Sequence, residues 1–266
     1  MTPNLNVCLF PMPIEWGNKE KNLALLEETI ERVYPATDLL ILPEMCSTGF
    51  LTGDKESIRD LAERNTGETI DFLRSLAAKK GFAIAGSFIA DTGGSLYNRA
   101  FFVESTGDPT FADKRHLFSM AGENKTFSSG DRRLGIRYRG WNISMVVCYD
   151  IRFPIWCRNV GNEYDLLIAV ANWPKVRVDA WNQLLKARAI ENLSYVCGVN
   201  CLGVDDKGFE YDGSSGVFDF KGKDISVRQE GSPFIYATLS YEKLELFREK
   251  FPAWKDADRF TIIEEF

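Results

Sequence analysis

Hydrophobic and polar positions along this chain switch between a helical and a strand period, and the switches mark its elements. Leu5–Phe10 is an apolar run ended by Pro11 and Pro13, and Asp38–Leu42 reads as a buried strand ended by Pro43. Asn18–Tyr34 places Leu23, Leu26, Ile30 and Val33 on one helical face, and Thr66–Lys80 predicts a second helix stopped by Gly81. Phe82–Ala90 and Leu96–Glu104, around a turn at Asp91–Ser95, predict a hairpin, and Leu134–Tyr138 with Ile143–Cys148 form another pair turning at Arg139–Asn142. A helix is expected after Pro154, a buried strand at Asp165–Ala171 and a helix over Asp179–Leu193. Strands at Tyr195–Val204, Ser215–Phe220 and Phe234–Leu239, a short helix at Tyr241–Lys250 and an extended tail complete the pattern.

No repeat, low-complexity stretch or linker interrupts this series, so residues 1–266 are expected to form one domain, layered α/β with helices outside and sheet inside. The last stretch, Arg259–Phe266, carries Phe260, Ile262, Ile263 and Phe266. A chain end that apolar is expected to pack on something, a second subunit being one candidate.

Composition excludes several classes. A net charge of −6 argues against nucleic acid or an anionic membrane as the main partner. There is no basic, then apolar leader, and no apolar run nears the ~20 residues of a membrane helix, so a cytoplasmic location is expected. Six cysteines occur, at 8, 46, 148, 157, 197 and 201, without a C-x-x-C pair, which leaves free thiols as the default and argues against thiol redox work. The single histidine, His116, leaves zinc and Ser-His-Asp chemistry without support, and no nucleotide-binding glycine motif is present. An enzyme built on this chain is expected to use carboxylates, lysines and cysteines, with no metal or other cofactor.

Three segments supply those groups. Leu39–Met45 (LLILPEM) delivers Glu44 at the carboxyl end of a buried strand, the edge where α/β active sites collect, although a solvated or capping Glu is the commoner outcome there. Asp113–Phe118 (DKRHLF) sets Lys114 among apolar and aromatic residues, although most lysines are solvated. Ile143–Pro154 ends a strand at Cys148 ahead of a turn, where a thiol can be reached and backbone N–H groups can receive an anion. The other cysteines sit within apolar runs and read as structural, except Cys46, which is harder to place. Cys, Lys and Glu together are the groups that acyl transfer without histidine requires.

These stretches, with GENKTFSSG around Glu123 and the ANWP…KARAIEN block of residues 171–192, resemble the nitrilase superfamily of carbon–nitrogen hydrolases over nearly the whole chain. The resemblance implies a four-layer α-β-β-α sandwich that dimerises through a helical layer, and a catalytic triad of Glu44, Lys114 and Cys148 supported by Glu123. The ANWP and CYDIRFP spellings look like the omega-amidase branch, which removes the terminal amide of 2-oxo acids such as 2-oxoglutaramate and 2-oxosuccinamate.

On this reading Glu44 is the general base. Lys114 and the Tyr149 backbone N–H hold the oxyanion, and Lys114 favours the Cys148 thiolate. Asn172, Trp173 and Phe118 are candidate pocket residues, and Arg152 or Arg177 could pair with a substrate carboxylate. Arg188 and Glu191 read as scaffold. Other branches, namely an aliphatic amidase, an N-carbamoyl amidohydrolase or a true nitrilase, remain alternatives, as does a non-catalytic binding module.

Overall fold

The computed structural model of the chain describes residues 2–262. Its strands run, in chain order, β1 (Leu5–Leu9), β2 (Leu39–Ile41), β3 (Ala83–Asp91), β4 (Leu96–Val103), β5 (Thr110–Asp113), β6 (Leu134–Tyr138) and β7 (Trp141–Val147). They continue as β8 (Leu166–Ala171), β9 (Tyr195–Asn200), β10 (Leu202–Val204), β11 (Glu210–Asp212), β12 (Gly216–Phe218), β13 (Val227–Arg228) and β14 (Ile235–Leu239). The helices are α1 (Lys19–Ile30), α2 (Lys55–Arg59), α3 (Glu68–Lys80), α4 (Glu123–Thr126), α5 (Val178–Asn192) and α6 (Tyr241–Lys250).

Strand parity builds four layers. Seven strands form one sheet in the order β13-β14-β1-β2-β3-β4-β5, and five form another in the order β12-β9-β8-β7-β6. Leu39 and Ile41 on β2, Ile143, Met145 and Val147 on β7, and Ile168 and Val170 on β8 meet in one core between the two sheets. The alternate positions face outward. Leu40 and Ile84 pack under Leu26 and Ile30 of α1 and Ile70 and Leu73 of α3. Leu167 and Ala169 pack under Trp181, Leu185 and Ala189 of α5. The α-β-β-α sandwich expected from the resemblance is therefore the observed architecture.

Parallel pairing sets where the site falls. β1, β2 and β3 run parallel, as do β7, β8 and β9, so the carboxyl ends of β2, β7 and β8 deliver their following residues to loops at a sheet edge.

The strand and helix assignments add α2, α4, β11 and β13 to those expected and differ from expectation elsewhere as well. No α-helix forms directly after Pro154: a 3₁₀ turn over Cys148–Arg152 comes first, residues 154–157 form turns, and a short 3₁₀ turn follows at Val160–Asn162. The run Tyr195–Val204 is two strands, because the chain leaves the five-stranded sheet at Cys201 and pairs β10 with β11 in a separate ribbon. The turn after β6 is tighter, with only Arg139 and Gly140, both at positive φ, between β6 and β7. Thr110–Asp113, which carries no strong pattern, adds β5 to an edge. In the apolar tail, Phe260 and Ile262 are both exposed, while Ile263 and Phe266 lie outside the described residues. No helix among the described residues is long and apolar enough to cross a membrane.

Candidate active site

Glu44 follows β2 and is fully buried. The chain turns sharply behind it, with Met45 at a φ of 44° and its amide donating to Ser87 Oγ at 2.8 Å. Glu44 Oε1 accepts from Lys114 Nζ at 2.9 Å and Asn98 Nδ2 at 2.7 Å, and Oε2 accepts from the Asn172 backbone N–H at 2.8 Å. Lys114 directly follows β5 and is also buried. Its ammonium donates to both oxygens of Glu123, at 2.9 and 3.0 Å. Glu123 opens α4 and is held in turn by the Phe118 N–H at 2.6 Å.

Cys148 comes from the other sheet, at the carboxyl end of β7. It is half-buried, whereas the other five cysteines are buried. Its backbone takes a φ of 48°, a left-handed conformation that costs a non-glycine residue about 1–2 kcal/mol. Asp150 offsets that strain by accepting from Val147 N–H across the turn at 3.1 Å. Tyr149 belongs to the first turn of a 3₁₀ helix, where N–H groups have no intrahelical acceptor. Arg188 of α5, buried, donates through Nε and Nη2 to the Ile151 carbonyl at 3.0 and 2.6 Å, which fixes the far side of the turn.

Glu44, Lys114, Cys148, Tyr149, Asn172, Trp173, Phe118, Arg152 and Arg177 all line one cavity of about 650 Å³. Glu123 lies behind Lys114 and is fully buried. Asn172, at the end of β8, ties the two sheets together: besides its N–H to Glu44, its Nδ2 donates to the Glu44 carbonyl at 2.8 Å. Asn200, at the end of β9, fixes Trp173 by accepting from its N–H at 2.7 Å and donating to its carbonyl at 2.9 Å. The Arg152 guanidinium lies 4.7 Å over the Trp173 ring and that of Arg177 5.4 Å over the Phe118 ring. Neither arginine has an ion-pair partner among the described residues.

Burial works against the charge on Lys114, but the carboxylates of Glu123 and Glu44 outweigh it and hold the ammonium above its usual range. Burial pushes the Glu123 carboxyl up, against the pull of Lys114. The thiol of Cys148 differs from expectation. Lys114 does favour the thiolate, but burial is the larger effect and Glu44 adds repulsion, so the group lies well above the ordinary thiol range. Near neutral pH the thiol keeps its proton, and a base has to remove it during attack. Glu44 is the buried carboxylate on the cavity wall, whereas Asp205 and Asp206 lie at its mouth.

Sequence reasoning missed Asn98, which donates to Glu44 and, at 3.3 Å, to Glu123 while accepting from Ser87 Oγ at 2.9 Å. It also missed the β10–β11 ribbon, whose connection brings Asp205, Asp206, Lys207 and Phe209 to the cavity mouth, and Trp16 and Phe50 on the wall. Asn98, polar at an alternate position of β4 between Leu96 and Ala100, was the available signal. The ribbon had none, because its first strand reads as a continuation of β9.

The fold and this edge site define a carbon–nitrogen hydrolase, and the chain belongs to that family, which it matches over residues 6–249. It is 39% identical to omega-amidase YafV of Escherichia coli K12 over 261 residues, covering 98% of this chain and 99% of that one. It is 31% identical to the 2-oxoglutaramate amidase of Bacillus subtilis, covering 91% and 93%. A CN-hydrolase superfamily protein of Xanthomonas campestris, solved with an arsenic adduct in its active site, superposes with a TM-score of 0.92 at 36% identity, covering 98% and 99%. These relatives bear out the resemblance drawn from the motifs.

Proposed function

We propose that this carbon–nitrogen hydrolase is an omega-amidase that removes the terminal amide of short 2-oxo dicarboxylic monoamides, such as 2-oxoglutaramate and 2-oxosuccinamate. The observation that carries the reading is the convergence of Glu44, Lys114 and Cys148 on a cavity whose wall also holds two arginines without ion-pair partners among the described residues. The names of the relatives support the substrate class.

In this mechanism Glu44 takes the proton of Cys148 as the sulfur attacks the amide carbon, and it passes that proton to the departing ammonia. The thioester that remains is cleaved by a water that Glu44 deprotonates, releasing the acid and the free thiol. Lys114 has three N–H donors. Glu44 takes one and the two oxygens of Glu123 can share another, which leaves one for the tetrahedral oxyanion beside the Tyr149 N–H. All the groups needed come from the chain, so the chemistry calls on no cofactor. Asn172 orients Glu44, and Trp173 and Phe118 form apolar wall. Arg152 or Arg177 receives the distal carboxylate, because a stacked, planar guanidinium suits bidentate capture. Residues 1–266 act as one catalytic domain, in the cytoplasm and as a homodimer through a helical layer.

The test compares 2-oxoglutaramate with butyramide in the wild type and in Arg152→Ala and Arg177→Ala. The oxo acid should be strongly preferred, and removing the clamping arginine should lower its kcat/KM about 10- to 100-fold while leaving butyramide unaffected. Equal hydrolysis of butyramide by the wild type would favour a general aliphatic amidase. Activity only on nitriles or carbamoyl compounds would favour those branches.

A further inference from the structure

The chain's single histidine plays no part in the mechanism above, yet it is tied directly to the nucleophile's turn. His116 stands two residues beyond Lys114. Asp150, buried, stands two residues beyond Cys148. Oδ1 of Asp150 accepts from the His116 backbone N–H and lies 2.8 Å from the ring nitrogen Nδ1, with the backbone bond also at 2.8 Å. A carboxylate oxygen only accepts, so Nδ1 carries the proton in this contact. The second oxygen of Asp150 is the one that accepts from Val147 N–H and holds Cys148 in its left-handed conformation. The imidazole is clamped as well: it stacks on Phe153 with centroids 3.7 Å apart and planes 7° apart, and Trp156 meets it edge-on at 6.0 Å.

We propose that His116 is a positioning residue, which locks the Lys114 segment to the Cys148 turn through Asp150 and so sets the distance between oxyanion donor and nucleophile. The inference rests on the reading of Cys148 as nucleophile and Lys114 as oxyanion donor. Its physical basis is that Lys114 belongs to the seven-stranded sheet and Cys148 to the five-stranded one. On the Lys114 side of that junction Glu44, Asn98 and Glu123 fix the lysine, and on the Cys148 side Asp150 fixes the turn. The imidazole–carboxylate contact joins the two. A shift of about 1 Å at this junction would misalign attack without emptying the cavity. The expected signature is therefore a fall in kcat with little change in KM.

The experiment measures kcat, KM, thermal midpoint and the rate of Cys148 alkylation by iodoacetamide in the wild type, His116→Leu, His116→Asn and His116→Gln. Asn places an amide N–H where Nδ1 stands and Gln carries its donor further out. His116→Leu should lose about 10- to 100-fold in kcat with KM within about threefold. His116→Asn should stay within a few-fold of the wild type, and His116→Gln should fall between. Alkylation should follow the same order as kcat. A folded His116→Leu enzyme with wild-type kcat and alkylation rate overturns the proposal. If His116→Leu does not fold, equal impairment of the Asn and Gln variants overturns it. Because alkylation needs no substrate, it decides the role of His116 even if the wild type hydrolyses none of the 2-oxo amides.

Discussion

Glu44, Asn98 and Lys114 hang from the seven-stranded sheet, Cys148 and Asn172 from the five-stranded one, and the two groups are built differently. The first, with Glu123, is a charge network around one ammonium: two carboxylates and an amide, all buried, with each carboxylate bonded to both the lysine and Asn98. The second is a single thiol on a bent backbone, partly open to the cavity and braced from behind by Asp150 and Arg188. A buried ion network depends on every member, since removing one leaves charge uncompensated in a low dielectric. A braced thiol carries no such dependence. Damage to the first group should therefore reach the fold, whereas damage to the second should stop at the chemistry.

The largest expected effects test that contrast. Cys148→Ala should abolish turnover, by roughly 10⁴-fold or more, with a thermal midpoint at or above that of the wild type. Lys114→Ala should lose several orders of magnitude in rate and in addition destabilise the fold by roughly 3–5 kcal/mol, because Glu44 and Glu123 are left facing one another. Combining Lys114→Ala with Glu44→Gln should cost far less than the sum of the two. Additive rate losses, or a Lys114→Ala protein as stable as Cys148→Ala, would erase the distinction.

A smaller effect probes the hinge of the charge network. Asn98→Ala should lower kcat about 10- to 100-fold, since Glu44 and Glu123 each lose a donor, while alkylation of Cys148 by iodoacetamide stays near the wild-type rate. If alkylation falls as far as kcat, the two halves are not separable at this residue.

The smallest effect treats both halves alike. Burial pushes the thiols of Cys8, Cys46 and Cys157 up to about 12. Their folded values lie above the unfolded one of 9.0, so the unfolded chain releases these protons first. Each thiol then contributes its full stability below pH 9 and loses it as pH rises from 9 towards 12. The thermal midpoint should decline over that window, and less steeply in a Cys8→Ala/Cys157→Ala variant. An unchanged slope would assign the decline to other groups.

Much of this arrangement is legible in the chain alone. Leu39–Leu42 and Ile143–Val147 are apolar runs that give way to a polar residue, and a buried strand that stops at a sheet edge presents its next residues to that edge. Glu44 and Cys148 are therefore visible as strand-end residues, and the order of the motifs supplied Lys114 and Glu123. Asn98 left a signal in β4, but its partners were not legible, because Glu44 and Glu123 are 54 and 25 residues away and nothing local marks them. The β10–β11 ribbon was hidden by the continuity of Tyr195–Val204, where only the side-chain contacts of Asn200 and the change of partner at Cys201 end the strand. The helix expected after Pro154 gave way to turns, and the Ile151 carbonyl just ahead of them is taken by the Arg188 guanidinium.

Asn172 joins residues 128 positions apart, through its N–H and its side-chain amide, to Glu44. In kinetic terms this is a late event. Closing so long a loop is entropically unfavourable until the two sheets have already docked, and contacts of that sequence separation form slowly. The strands that pair locally, such as β3 with β4 and β6 with β7, can form, and with them much of the far-ultraviolet dichroism, before Glu44 and Asn172 meet. On refolding, recovery of catalysis then lags recovery of secondary structure and reports the moment at which the sandwich closes.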